Sequence, residues 1–309
     1  MSEALLAEYV RGGYVESKHF GHLLAIDAAG NEVLVKGDPD ALIYPRSAIK
    51  SIQASAMVRN GLLEKGLSDR NLALVCASHS GSSAHQAGVR EILAGAGLTE
   101  AALQCIPDRP LGIAERKEWG DKEPAPIAMN CSGKHSGMLA TCVANGWPIE
   151  SYLNPEHPLQ LAIRSELESL AQEQVANISI DGCGAPLFLL SLRGLTRAFH
   201  NLAKSADPVH QKVIAACLAN PDMVAGIGRT DTDLMLKAPE LFLKGGAEGV
   251  QAAFLRDGRT VIFKVIDGSE RAHKVILQAA LAQLGYDLEI PEIPIFGGKN
   301  KVGLIRAAL

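Results

Sequence analysis

The chain has 309 residues, 47% of them hydrophobic, enough to bury one large core or two intimately packed ones. Thirty Lys and Arg against 34 Asp and Glu leave a formal charge of −4 without long basic runs, which argues against a nucleic-acid partner. The start, MSEALLAEYVRGGYVE, lacks a basic opening and a signal-length apolar run, and no stretch approaches about 18 consecutive apolar residues, so no membrane partner and a cytoplasmic location are expected.

Near the start, FGHLLAIDAAGNEVLVKGD reads as a hairpin turning at Ala29-Gly30-Asn31. Apolar spacing and Gly, Pro and Asn punctuation then predict helices over residues 47–63, 83–96, 157–174, 186–204 and 208–219. A second hairpin, turning at Asp257-Gly258, precedes a last helix over 269–284 that stops before Gly285. These elements predict an α+β fold in which N- and C-terminal strands form one antiparallel sheet and a helical lobe is inserted between them. Residues 1–46 with 240–309 are expected to carry the sheet and 47–239 the helical lobe, with the site in the cleft.

Several short stretches carry possible chemistry. In YPRSAIKSIQA, Ser47 and Lys50 lie three apart at the mouth of a predicted helix, where the amine can take the hydroxyl proton. That role requires desolvation or a neighbouring positive charge; the plainer reading is a capping serine beside a solvated lysine. In LVCASHSGSSAHQAGVREIL, a buried strand-like run leads into a polar turn and a helix. Ser78 and His79 would then sit at a strand end facing a cleft, with Ser80, Ser82 and Ser83 as caps.

NCSGKHSG, residues 130–137, fails the phosphate-loop pattern, because Ala128 stands where the first glycine belongs and His135 where the hydroxyl belongs. Six cysteines scattered along a chain without a secretory signal argue for reduced thiols or metal ligands. Cys131 finds its best partner in Cys183 of ISIDGCGAPLF, a glycine-flanked turn. Two thiolates suit zinc, with Lys134, His135 or Asp181 completing the shell, against two unconnected buried cysteines. Lys244, followed by Gly245-Gly246 at the head of a predicted strand, resembles the Lys-Thr-Gly element of serine β-lactamase sites, whose glycine lets the substrate backbone approach.

Taken together, RSAIK, CASHS, NCSGKHSGML, DGCGAP, VAGIGRTDTDLM and LKGGAEGV resemble the Rhizobium-type L-asparaginase II family from about Gly12 to Asp267. The resemblance implies a serine β-lactamase-like and glutaminase-like fold, a homodimer, and hydrolysis of L-asparagine to L-aspartate and ammonia. Carried over by position, Ser47 with Lys50 and Ser78 with Lys244 are the catalytic pairs, and Cys131, Lys134 and Cys183 hold Zn²⁺. Arg46, His79 and Asp181 are expected at the substrate. Two departures stand out: a short C-terminal tail, and Asp231 where some relatives carry cysteine.

The expected chemistry is double displacement, with Ser47 attacking and zinc as a positioning or structural ion, since two thiolates make it a weak Lewis acid. Alternatives are a glutaminase or another Ser-Lys amidohydrolase, and a non-catalytic zinc or amino-acid binder.

Overall fold

The computed structural model describes residues 3–309 and opens with strands β1 (Ala4–Arg11), β2 (Tyr14–Ile26) and β3 (Glu32–Lys36). The β2–β3 turn falls where predicted. Asp27 closes it by accepting hydrogen bonds from the backbone N–H groups of Ala29 (2.8 Å) and Asn31 (2.9 Å). After the short β4 (Leu42–Ile43), a 3-10 turn over Arg46–Ile49 feeds α1 (Lys50–Arg59). The predicted helix over 47–63 thus breaks after Arg59.

The run expected to be a strand before Ser78 is instead helix α2 (Asp69–Val75). Ser68 caps it, accepting from the Asn71 N–H, and the whole run Leu72–Val75 is buried. A short apolar run buried on every side fits a helix as well as a strand, which is why period did not separate them. Next come α3 (Ser83–Gly95), capped by Ser82, then α4 (Ile113–Trp119), α5 (Ser132–Asn145) and α6 (Pro158–Ala171).

The helix predicted over 186–204 is two elements. After β5 (Asn177–Ile180), β6 (Pro186–Ser191) pairs antiparallel with both β5 and β4, and only then does α7 (Leu192–Lys204) begin. Ser191 marks the change by accepting from the Gly194 N–H. Within α7 the buried Leu192, Leu195, Phe199 and Leu202 form one stripe at helical spacing. The chain continues through α8 (Pro208–Ala219), α9 (Pro221–Val224) and α10 (Thr230–Lys237). It ends with β7 (Leu241–Gly246), β8 (Val250–Leu255), β9 (Thr260–Val265), α11 (His273–Gln283), β10 (Ile293–Gly297) and β11 (Asn300–Ala307).

Eight of these strands form one antiparallel sheet in the order β10-β11-β1-β2-β9-β8-β7, with β3 on β2. The expected α+β class, a sheet built from both ends of the chain, is therefore present. Register is long-range: Ala7 faces Ala307 and Leu23 faces Phe263. Helix α7 packs on β2, β8 and β9, and Phe199 sits over the stacked Phe242–Phe254 pair, whose centroids lie 4.7 Å apart.

Helix α5 lies hard against α2 because Gly133 and Gly137 face it. A Cβ on Gly133 would sit 2.4 Å from the Leu74 carbonyl oxygen, and one on Gly137 2.7 Å from a Val75 methyl. The Gly133 obstacle is backbone, which cannot swing aside. Gly133→Ala is therefore expected to cost about 1–3 kcal/mol by overpacking, read as a lower urea midpoint at unchanged m-value.

Candidate active site

Lys50 is the first residue of α1, and its Nζ donates to the Ala77 carbonyl (2.5 Å), Ser78 Oγ (3.2 Å) and Cys131 Sγ (2.9 Å). Lys244, two residues from the end of β7, reaches the same Ser78 Oγ at 3.1 Å and its neighbour's Gly245 carbonyl at 2.7 Å. Both amines are almost fully buried. Ser78 thus sits between two lysines, whereas Ser47 Oγ has no hydrogen-bond partner among the described residues. Lys244 stands near the end of its edge strand, not at the head as expected from sequence.

Ser78 leaves α2 on an extended segment stitched to two sides, with Ser78 N–H on the Val224 carbonyl (3.0 Å) and His79 N–H on the Asn130 carbonyl (3.0 Å). Ser47 follows Arg46, which takes a left-handed φ of +52°. A non-glycine residue there is strained and persists only when its surroundings hold it. They do so here, because Arg46 Nε bonds Asp181 Oδ1 at 2.7 Å. Gly246 also closes on this turn: a Cβ there would lie 2.4 Å from the Pro45 carbonyl oxygen.

A cavity of about 430 Å³ opens beside Ser47, Ser78, Asn130 and Lys244. Its lining also includes Arg229, Asp231, Gln251 and His273, none of which the sequence motifs had assigned a role. The signal available was the Gly226-x-Gly228-Arg229 stretch, whose glycines both take positive φ just before α10. The three residues expected at the substrate lie elsewhere. Arg46 and Asp181 pair with each other outside the cavity lining. His79 is fully buried, bonded through Nε2 to Ser132 Oγ (2.9 Å) and stacked on His85; burial holds it well below the ordinary histidine pKa.

Behind Lys50 lies the thiol group. Cys131 caps α5, Lys134 follows one turn later, and Cys183 arrives on the β5–β6 turn. Lys134 Nζ stands 3.1 Å from Cys183 Sγ. The close approach of the two sulfurs lowers the Cys183 pKa and raises that of Cys131, and burial adds to the rise at Cys131. Burial alone would lower the Lys134 pKa, but the two cysteines and Asp181 outweigh it and raise it. Among the described residues no group of three or more His, Cys, Asp and Glu side chains could hold a metal ion. Cys131, Lys134 and Cys183 nevertheless face one another, so a metal here depends on the Lys134 amine as third donor.

Lys244 has the opposite environment. Burial, with Lys50 and Arg229 nearby, pulls its amine down to about 8 against the partial support of Asp231. Between about 8 and the ordinary 10.5 the unfolded chain binds the proton that the folded chain has released, so stability rises with pH across that window. Melting temperatures of the native protein and Lys244→Met across this range are expected to diverge, the native rising more steeply.

The solved structures similar to this chain include the crystal structure of Mglu in its native form, with 11% identity, 91% of this chain and 66% of the other covered, and a TM-score of 0.47. The 4.3 M NaCl form of Mglu gives 12%, 88%, 62% and 0.49 for the same quantities. A beta-lactamase from Mycobacterium bovis gives 13%, 86%, 95% and 0.45. The chain spans less than two thirds of the length of either Mglu chain. No curated protein matches. The L-asparaginase II family matches residues 7–294, nearly the whole of the chain described above. The protein belongs to the L-asparaginase II family.

Proposed function

We propose that this protein is a Ser-Lys amidohydrolase that cleaves the side-chain amide of L-asparagine to L-aspartate and ammonia. The observation that carries the reading is the Lys50–Ser78–Lys244 bridge beside Ser47 in one cavity. Ser47 attacks the carboxamide carbon, and Lys50, three residues on, takes its proton. The hydrogen bonds from Lys50 through Ser78 to Lys244 then offer that proton a path to the departing ammonia. Water cleaves the resulting ester and returns the proton to the chain of amines. The strained Arg46 supports Ser47 as the attacking group, since such backbone collects at reacting residues.

A second reading makes Ser78 the nucleophile, because it alone already has an amine on its hydroxyl. Ammonia release from asparagine and glutamine, with mass spectrometry of the trapped acyl-enzyme, separates the cases. Ser47→Ala is expected to lower kcat at least ~10⁴-fold, and the acyl group is expected on the peptide containing Ser47. An acyl group on the Ser78 peptide sinks that assignment, and faster turnover of glutamine sinks asparagine as the substrate.

In the same reading Cys131, Lys134 and Cys183 hold a zinc ion. When bound, such an ion would fix the thiol group and offer a positively charged contact beside the cavity. Lys134 must then give up its proton, so zinc affinity rises with pH. Purified protein is expected to retain stoichiometric zinc by elemental analysis, and Cys183→Ser to lose it. Assembly as a homodimer belongs to this proposal as well. Among the described residues no helix is long and apolar enough to cross a membrane.

A further inference from the structure

The lining of the cavity also carries charges that the reaction at the amide does not use. Asp231 is fixed by the Gly245 N–H, which donates to its Oδ2 at 2.8 Å, one residue from Lys244. Gln251 Nε2 approaches the other oxygen, Oδ1, at 3.5 Å. Arg229 lines the same cavity, yet its guanidinium makes no hydrogen bond or ion pair among the described residues, and its Nη1 is buried. Neither Asp231 nor Glu270, which lies at the cavity's exposed edge, stands within ion-pair distance of it.

His273, nine-tenths buried and lining the same cavity, is the second unsatisfied group. Its Nε2 is buried without a partner. With the ring proton on Nδ1, Nε2 is a bare acceptor. Burial pushes this imidazole down to about 4, so it stays neutral and acceptor-ready near neutral pH.

The Arg229 placement needs an explanation, because it acts against the fold. A guanidinium beside the buried Lys244 amine repels its proton, and no described residue forms an ion pair with it. An anion arriving in the cavity would remove both deficits at once. A bare acceptor beside an anchored carboxylate has the complementary need, a cation with several N–H groups to give.

We propose that Arg229 reads the α-carboxylate of the substrate and that Asp231 with His273 Nε2 reads its α-ammonium, so that the cavity selects free α-amino acids. This deepens the proposed function and rests on it. The scale agrees: in asparagine both α groups lie within about 4 Å of the amide carbon, so their readers must share one cavity with Ser47 and Ser78. The lining accordingly sorts substrates by their zwitterion, while the serines and lysines supply the bond cleavage.

The test compares L-asparagine with its α-amide, which lacks the carboxylate, and with its N-acetyl form, which lacks the ammonium. The native protein is expected to favour L-asparagine at least ~10-fold over each in kcat/KM. Arg229→Gln should raise KM for L-asparagine ~10- to 100-fold with little change in kcat and erase the penalty for the α-amide alone, with partial rescue in Arg229→Lys. Asp231→Asn, which keeps the acceptor for Gly245, should erase the penalty for the N-acetyl form alone. Calorimetry of L-aspartate and succinate with the same proteins reads head-group binding without turnover. Turnover of asparagine with unchanged selectivity in both variants overturns this inference and leaves the hydrolase intact. Absent turnover, but L-aspartate binding that needs Arg229 and Asp231, leaves the inference standing and overturns the hydrolase; absence of both removes both.

Discussion

The site is organised around one buried amine. A lysine nitrogen withdrawn from water must recover its hydrogen bonds inside the protein, and Lys50 does so with three acceptors from two places. The Ala77 carbonyl and Ser78 hydroxyl come from the exit of α2, and the Cys131 sulfur from the entrance of α5. Lys50 itself opens α1. Docking of those three helices is thus encoded in a single side chain, and the close approach at Gly133 and Gly137 is what brings α5 within its reach. The same nitrogen is also the only direct link between the serines and the thiols among the described hydrogen bonds.

Two further buried lysines show how neighbours, more than depth, set charge. Lys134 and Lys244 are equally withdrawn from water. The first faces Cys183, Cys131 and Asp181, and its proton is held more tightly; the second is loosened by burial with Lys50 and Arg229 nearby. One fold therefore keeps a firm cation and a readily neutralised amine within the same interior. Asp231 tempers the second case, since its carboxylate favours the charged form of Lys244.

Much of this was legible in the sequence because the informative residues were both unusual and local. Cys131 and Lys134 lie one helical turn apart, and Cys183 stands in a turn that glycine demands; their convergence followed from chemistry that few other residues share. The two hairpin turns were equally plain from Asn-Gly-type punctuation. Continuous apolar runs were harder. Leu72–Val75 is buried throughout and Leu187–Leu190 nearly so, neither with clear alternation, and only Ser68 and Ser191, as caps, mark one as a helix and the other as the strand before a helix. Arg229 and His273 escaped altogether, because 44 residues separate them and their common feature, a missing partner, exists only once the chain is folded. The β10–β11 hairpin escaped for a different reason: its sequence is glycine-rich and weakly alternating, and it gains its strand character from pairing with β1.

That last pairing shapes how the molecule must assemble. Ala7 and Ala307 lie 300 positions apart, and the same ladder continues to Arg11 and Gly303. Local helices such as α5 and α6 can condense early from neighbouring contacts, whereas closing a loop of that length forfeits entropy before any hydrogen bond rewards it. During synthesis, β1 emerges long before β11 and waits with one edge unpaired until that strand has followed. During that interval its open edge is an invitation to other chains, and crowded expression would punish it with aggregation well before any defect in the folded enzyme could be seen.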